Sequence, residues 1–261
     1  MNRLEGLMIK TRVFLVISIG IAVTWLAWLA PAYSVSKPAQ QHFAQGLGAL
    51  QSGEGVQAAA QFSAALELDP EWVEAHINRG QAYVLQGRLD QALKDFTKAL
   101  ELAPEAYEAL YNRGRVYTML GKPEQAIADY TAALKLRPDD WQLYYNRGNA
   151  FLDAGRYQEA IKDYEQALQM NPNDPRIIHN RGLARLELGQ AQAALADFSR
   201  VLTLDPNLAK AQYNRGRALE QLGRLPEARG AYRIFLQAAD PTTEKDLLEK
   251  TLQRLKQLEG K

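Results

Sequence analysis

The stretch LYYNRGNAFLDAGRYQEAIKDYEQALQMNP, residues 143–172, decides how the rest of the chain is read. Its triplet Asn146-Arg147-Gly148 recurs as Asn78-Arg79-Gly80, Asn112-Arg113-Gly114, Asn180-Arg181-Gly182 and Asn214-Arg215-Gly216, each step being 34 residues. A fixed period of this length signals repeated supersecondary units and outranks any single local motif. Other positions keep the same phase. A second glycine series runs Gly53, Gly87, Gly121, Gly155, Gly189 and Gly223. Aromatic rings fall at Phe62, Phe96, Tyr130, Tyr164, Phe198 and Tyr232, and prolines at Pro70, Pro104, Pro138, Pro172 and Pro206.

Physical chemistry turns this pattern into two helices per unit. A glycine such as Gly155 can take a left-handed conformation and end the first helix. A proline such as Pro172 cannot continue the second. Gly148 and Ala160 lack bulk, so two backbones can approach there, with Tyr164 filling the space beside the contact. Ala160, Tyr164 and Ala167 share one face at helical spacing. One such unit cannot bury its apolar face alone, so neighbours must stack.

Small, aromatic and proline positions that hold phase over about 200 residues resemble the tetratricopeptide repeat family. Six units follow: 39–72, 73–106, 107–140, 141–174, 175–208 and 209–242. The resemblance implies an all-α fold, a right-handed α-α superhelix whose first helices line a concave face. The end units depart from the pattern. The first lacks the Asn-Arg-Gly triplet, and the sixth carries its proline one residue late, at Pro241. Residues 243–261 read as a C-terminal capping helix with Leu247, Leu248, Leu252 and Leu255 on its apolar face and a capping box from Thr243 to Asp246.

Residues 1–32 differ in kind. Arg3, Lys10 and Arg12 precede an uncharged run at 13–30, and Ala30-Pro31-Ala32 follows. That order describes a secretory signal peptide cleaved after Ala32. A helix of eighteen residues is also roughly 27 Å long, close to the ~30 Å hydrocarbon core, so an uncleaved membrane anchor fits as well. Both readings place the repeats outside the cytoplasm, periplasmic, secreted or membrane-tethered. Residues 33–38 read as a linker.

The chain has a formal net charge of +1 and no cysteine. A near-neutral balance argues against nucleic acid as a partner. Without cysteine there is no disulfide, thiolate metal site or Cys nucleophile. His42, His76 and His179 lack metal-ligand spacing, and no phosphate loop or dinucleotide fingerprint is present. The expectation is a chain that is not an enzyme and needs no cofactor or metal.

The triplet itself divides into roles. Its Gly is structural. Its Arg sits on the inter-helix side and needs a partner, which Asp95, Asp129, Asp163 and Asp197 offer at the same period. Pairing within the unit would leave Arg215 facing Ala231, while pairing with the preceding unit would strand Arg79; the in-unit arrangement is expected. By the resemblance, Asn78, Asn112, Asn146, Asn180 and Asn214 point into the groove. An Asn amide donates and accepts, so it matches a peptide unit, and a row could hold an extended backbone. The alternative is a surface Asn bonding a neighbouring unit. The resemblance adds Ile77, Tyr111, Tyr145, His179 and Tyr213 as groove positions, with Gln81, Arg115, Asn149, Leu183 and Arg217 one turn on. Phe43 and Leu47 occupy the positions where a carboxylate clamp would need Lys and Asn. Arg176, His179, Lys210 and Arg217 give the C-terminal groove a basic reading, which suits an acidic or C-terminal segment, and Glu74 and Glu108 give the other end the opposite sign. The expected function is a non-catalytic scaffold that binds a peptide or protein segment and supports assembly of an extracytoplasmic or membrane-associated complex. A self-associating tethered solenoid is the alternative.

Overall fold

The computed structural model describes residues 35–259. Among them are thirteen helices and no strand: α1 Lys37–Gln51, α2 Gly55–Leu68, α3 Val73–Leu85, α4 Leu89–Leu102, α5 Tyr107–Met119, α6 Pro123–Leu136, α7 Trp141–Asp153, α8 Tyr157–Met170, α9 Pro175–Glu187, α10 Ala191–Leu204, α11 Ala209–Gln221, α12 Leu225–Ala238 and α13 Lys245–Glu259. From the second unit to the sixth, the first helix begins at the residue where the period places the unit. The N-terminal segment at 1–32 lies outside the described residues. The expected linker at 33–38 is shorter than its reading: α1 already starts at Lys37, because Ser36 caps it through Oγ (3.3 Å from the Ala39 amide) and Pro38 suits the first turn.

Gly87 shows how the first helix stops. It has φ +70°. Its N–H donates to the Val84 carbonyl at 3.0 Å, and the Arg88 N–H donates to the Tyr83 carbonyl at 2.9 Å. These two bonds make a Schellman motif that satisfies the last carbonyls of α3. The triplet glycine does a different job from close backbone approach. A Cβ on Gly148 would lie 2.7 Å from Cε1 of Tyr164, so the glycine vacates the seat of the aromatic ring itself.

Each helix packs on the next, and consecutive odd-numbered helices, α1 to α11, also touch one another, whereas even-numbered helices lack comparable contacts. The odd helices therefore form the inner layer of the curve, which is the concave side expected of the first helices. Buried Phe62, Phe96, Tyr130, Tyr164, Phe198 and Tyr232 run between the two layers.

The arginines of the triplet face their own units. Arg79 donates through Nε and Nη2 to both Asp95 oxygens (2.8 and 2.7 Å), and Arg113, Arg147 and Arg181 repeat the fork on Asp129, Asp163 and Asp197. The preceding unit also contributes. Nη1 of Arg79, Arg113 and Arg147 reaches the hydroxyls of Ser63, Thr97 and Thr131 at 3.1–3.2 Å. One guanidinium thus ties two units together, with bidentate geometry that sets orientation as well as energy. Burial alone would lift the Asp95 carboxyl, but hydrogen bonds from Arg79 and His76 carry it below the ordinary range. At Asp163, which has Arg147 alone, burial prevails and the carboxyl ends above its usual value. In the sixth unit Ala231 replaces the acid, and Arg215 Nε is buried without a hydrogen-bond partner among the described residues.

The cap is rotated from its expected register. Thr251, Leu255 and Leu258 are buried, Leu247 and Leu248 are half-buried, and Leu252 is 49% exposed. Leu255 and Leu258 join the cluster of Ala228, Ala231 and Tyr232. Thr251 fits this face because its hydroxyl donates to the Leu247 carbonyl at 2.6 Å. No Thr243–Asp246 capping box forms. Asp240 organises the entry turn, accepting from the Thr242 N–H and hydroxyl, while its carbonyl accepts from Glu244 N–H.

Candidate functional site

The inner layer carries the sequence-derived site residues, and it sorts them into two groups. In the N-terminal part, Asn78 and Asn112 each donate Nδ2 to the carbonyl four residues back on their own helix, Glu74 and Glu108, at 2.7 Å. Each keeps its Oδ1 and a second N–H. Asn146 makes no side-chain hydrogen bond among the described residues. These three amides retain open valences on the inner face.

In the C-terminal part the same repeat position is engaged between units. Tyr164 donates to Asn149 Oδ1 at 2.8 Å, and Asn180 Nδ2 donates to that oxygen from the next unit at 2.8 Å. His179 Nδ1 lies 3.3 Å from Asn180 Oδ1, and Asn214 Nδ2 lies 3.1 Å from His179 Nε2. These contacts are mutually consistent for a neutral imidazole that donates through Nδ1 and accepts at Nε2. Burial depresses the basicity of His179, opposed by the Asn180 hydrogen bond and assisted by the nearby Lys210 charge, so the neutral form is favoured. Arg217 continues the chain, reaching Asn214 Oδ1 at 3.5 Å and Glu187 at 2.8 Å. Asn214 is only 6% exposed. Asn180 and Asn214 therefore serve inter-unit cohesion, which is the alternative reading of the row, and they do not offer free amides to the groove.

The rings at the neighbouring position are also divided. Ile77 is buried in the core. Tyr111, Tyr145, His179 and Tyr213 are half-buried, each against its own unit's aromatic, with centroid separations of 6.4, 6.3, 5.6 and 5.8 Å. The basic C-terminal groove is largely compensated. Arg176 forks onto Asp174 and Arg217 meets Glu187, while Lys210 stands 3.9 Å from Glu244. At the other end Glu108 meets Arg137 at 3.2 Å.

Arg115 differs from these cations. It is exposed, makes no ion pair or hydrogen bond among the described residues, and lies 5.8 Å from the Tyr111 ring centroid. It borders a pocket of about 350 Å³ lined by Leu50 of α1, Gln81, Val84 and Leu85 of α3, and Asn112, Val116 and Met119 of α5. The apolar members of this pocket are not marked in the sequence as strongly as the Asn series, which recurs in five units. A signal existed two helical turns beyond it: the series Gln51, Leu85, Met119, Asp153, Glu187 and Gln221 is apolar in two consecutive units and polar elsewhere. No group of His, Asp or Glu that could hold a metal ion occurs among the described residues, and no described helix is long and apolar enough to cross a membrane.

This architecture, an inner layer of first helices presenting polar side chains and an outer layer of second helices, defines a helical-repeat solenoid. Five family models described as "Tetratricopeptide repeat" match residues 73–105, 96–128, 120–175, 149–211 and 209–233. The chain belongs to the tetratricopeptide repeat family. A search of curated proteins finds no match. Among solved structures, a tetratricopeptide repeat protein from Parabacteroides merdae superposes with a TM-score of 0.72 at 22% identity, over 85% of this chain and 90% of that one. YrrB, described as a TPR protein with an unusual peptide-binding site, gives 0.64 at 26% identity over 74% and 99%. MamA from Desulfovibrio magneticus gives 0.64 at 19% identity over 67% and 99%.

Proposed function

We propose that the solenoid is a non-catalytic scaffold whose inner face holds an extended peptide or protein segment. The observation that carries this reading is the set of open amides on Asn78, Asn112 and Asn146, one per consecutive unit. An extended backbone presents alternating donors and acceptors, and an Asn amide meets both. The peptide-binding site named for YrrB, a protein of the same fold, supports the reading. We further propose that the scaffold works outside the cytoplasm, soluble after cleavage at Ala32 or tethered by residues 13–30, in the assembly of an envelope complex; this part stands on the sequence of the first 32 residues. The test is affinity capture from the envelope fraction, comparing the wild type with the triple variant Asn78→Ala, Asn112→Ala, Asn146→Ala, both checked by circular dichroism. Loss of specific proteins from the variant's set is expected. Identical sets would overturn the groove reading. Mass spectrometry of the mature N-terminus decides between cleavage and tether.

A further inference from the structure

We infer that the pocket between α1, α3 and α5 selects the segment bound in the groove, taking a large apolar side chain and an acidic residue separated from it by one residue inside an extended chain. The inference rests on the groove reading above and adds the chemistry of the partner.

The apolar half comes from Leu85 and Met119, each 57% exposed, with Leu50 and Val84 beside them. Two large apolar side chains held open on neighbouring inner helices lose little by being covered, and a methionine adapts its shape to different partners. The apolar strip ends where Asp153 and Glu187 take the same repeat position on α7 and α9. The pocket is therefore confined to the first three units.

The acidic half follows from charge. Arg115 is the pocket's cation, and it has no carboxylate among the described residues, whereas Arg176 and Arg217 in the C-terminal groove are already paired. An arginine fork is matched by a carboxylate. Arg115 and Met119 are one helical turn apart, about 6 Å. Alternate residues of an extended chain are about 6.6 Å apart on one side, so an apolar residue and an acid separated by one residue reach both. An internal acid lets the segment continue past α5 to the open amide of Asn146 on α7, the next inner helix, which a chain terminus at Arg115 would forgo.

The test uses the full chain with methyl-labelled methionine. Met119 lies in the pocket and Met170 lies on α8, outside it, as an internal control. The probes are end-capped peptides of Ala and Gln carrying one Leu and one Glu, adjacent or separated by one, two or three residues. The expected result is a saturable shift of the Met119 methyl with Met170 unmoved, strongest at a separation of one. Replacing the peptide's Glu by Gln should weaken binding roughly tenfold, and Arg115→Gln should abolish that difference. Equal binding of Glu and Gln peptides overturns the acidic preference. A shift confined to Met170, or none at millimolar peptide, overturns the pocket while leaving the capture experiment above to decide the groove by itself. A free C-terminal Leu peptide binding more tightly than every capped one would replace the internal acid with a chain terminus and overturn the proposal as stated.

Discussion

Asn112 on α5 and Asn214 on α11 occupy the same repeat position and use their amides differently. Asn112 turns back to its own helix through one N–H and keeps its Oδ1 and second N–H open. Asn214 is buried between His179 and Arg217, fully drawn into a chain that crosses three units. The residues that decide the difference lie close by on the same and the preceding inner helix. Around Asn112 they are Gln81, Arg115 and Met119, none of which offers a bond to it; around Asn180 and Asn214 they are Asn149, His179 and Arg217. A repeat thus keeps its backbone while its polar valences are directed either inward, to cohesion, or outward, to a ligand.

The largest expected effect lies in the cohesive half. Asp197 receives Arg181 and also Arg185 at 2.8 Å, and it is 3% exposed. Asp197→Ala strands Arg181, leaves Arg185 with Glu165 alone, and should lower unfolding free energy by about 3–5 kcal/mol, read by urea denaturation. Next comes the pair that breaks the comparison directly. Asn214→Ala should cost about 1–3 kcal/mol, because buried partners lose their hydrogen bonds. Asn112→Ala should stay within about 0.5 kcal/mol while weakening peptide capture. Equal costs for the two would erase the distinction between the halves.

Acidification should sharpen it. His179 is less basic folded than unfolded, so the unfolded chain binds its proton first. Its contribution is complete above the unfolded value near 6.5 and is lost as pH falls below that, by at most about 1.4 kcal/mol per pH unit. The midpoint of thermal unfolding should fall between pH 7.5 and 5.5 in the wild type and fall less in His179→Gln. The smallest effect is a gain. Ala231→Asp supplies the missing carboxylate to Arg215, and about 0.5–1 kcal/mol of added stability is expected in urea. No gain would mean that the cap, which covers Ala231, leaves the acid no room.

Much of this is legible in the sequence. The 34-residue phase placed the first helices of the second to sixth units, the left-handed glycines and the Arg–Asp forks of the second to fifth units, because each depends on residues within one unit at fixed spacing. The cap was legible as a helix but not in register. Leu252 and Leu258 are both leucines, and the seat left by α12 chose between them.

The sequence by itself determined the repeat, the two helices per unit and the ion-pair series, since local backbone preference and fixed spacing are enough for these. Tertiary structure alone decided which asparagines remain available and that the apolar residues of the first three units meet in one pocket. Those outcomes depend on side chains 31 to 35 residues apart meeting across units, as Asn149 meets Asn180 and His179 meets Asn214. A hydrogen bond satisfied within the array is lost to a ligand, and only the stacked geometry shows which bonds are made.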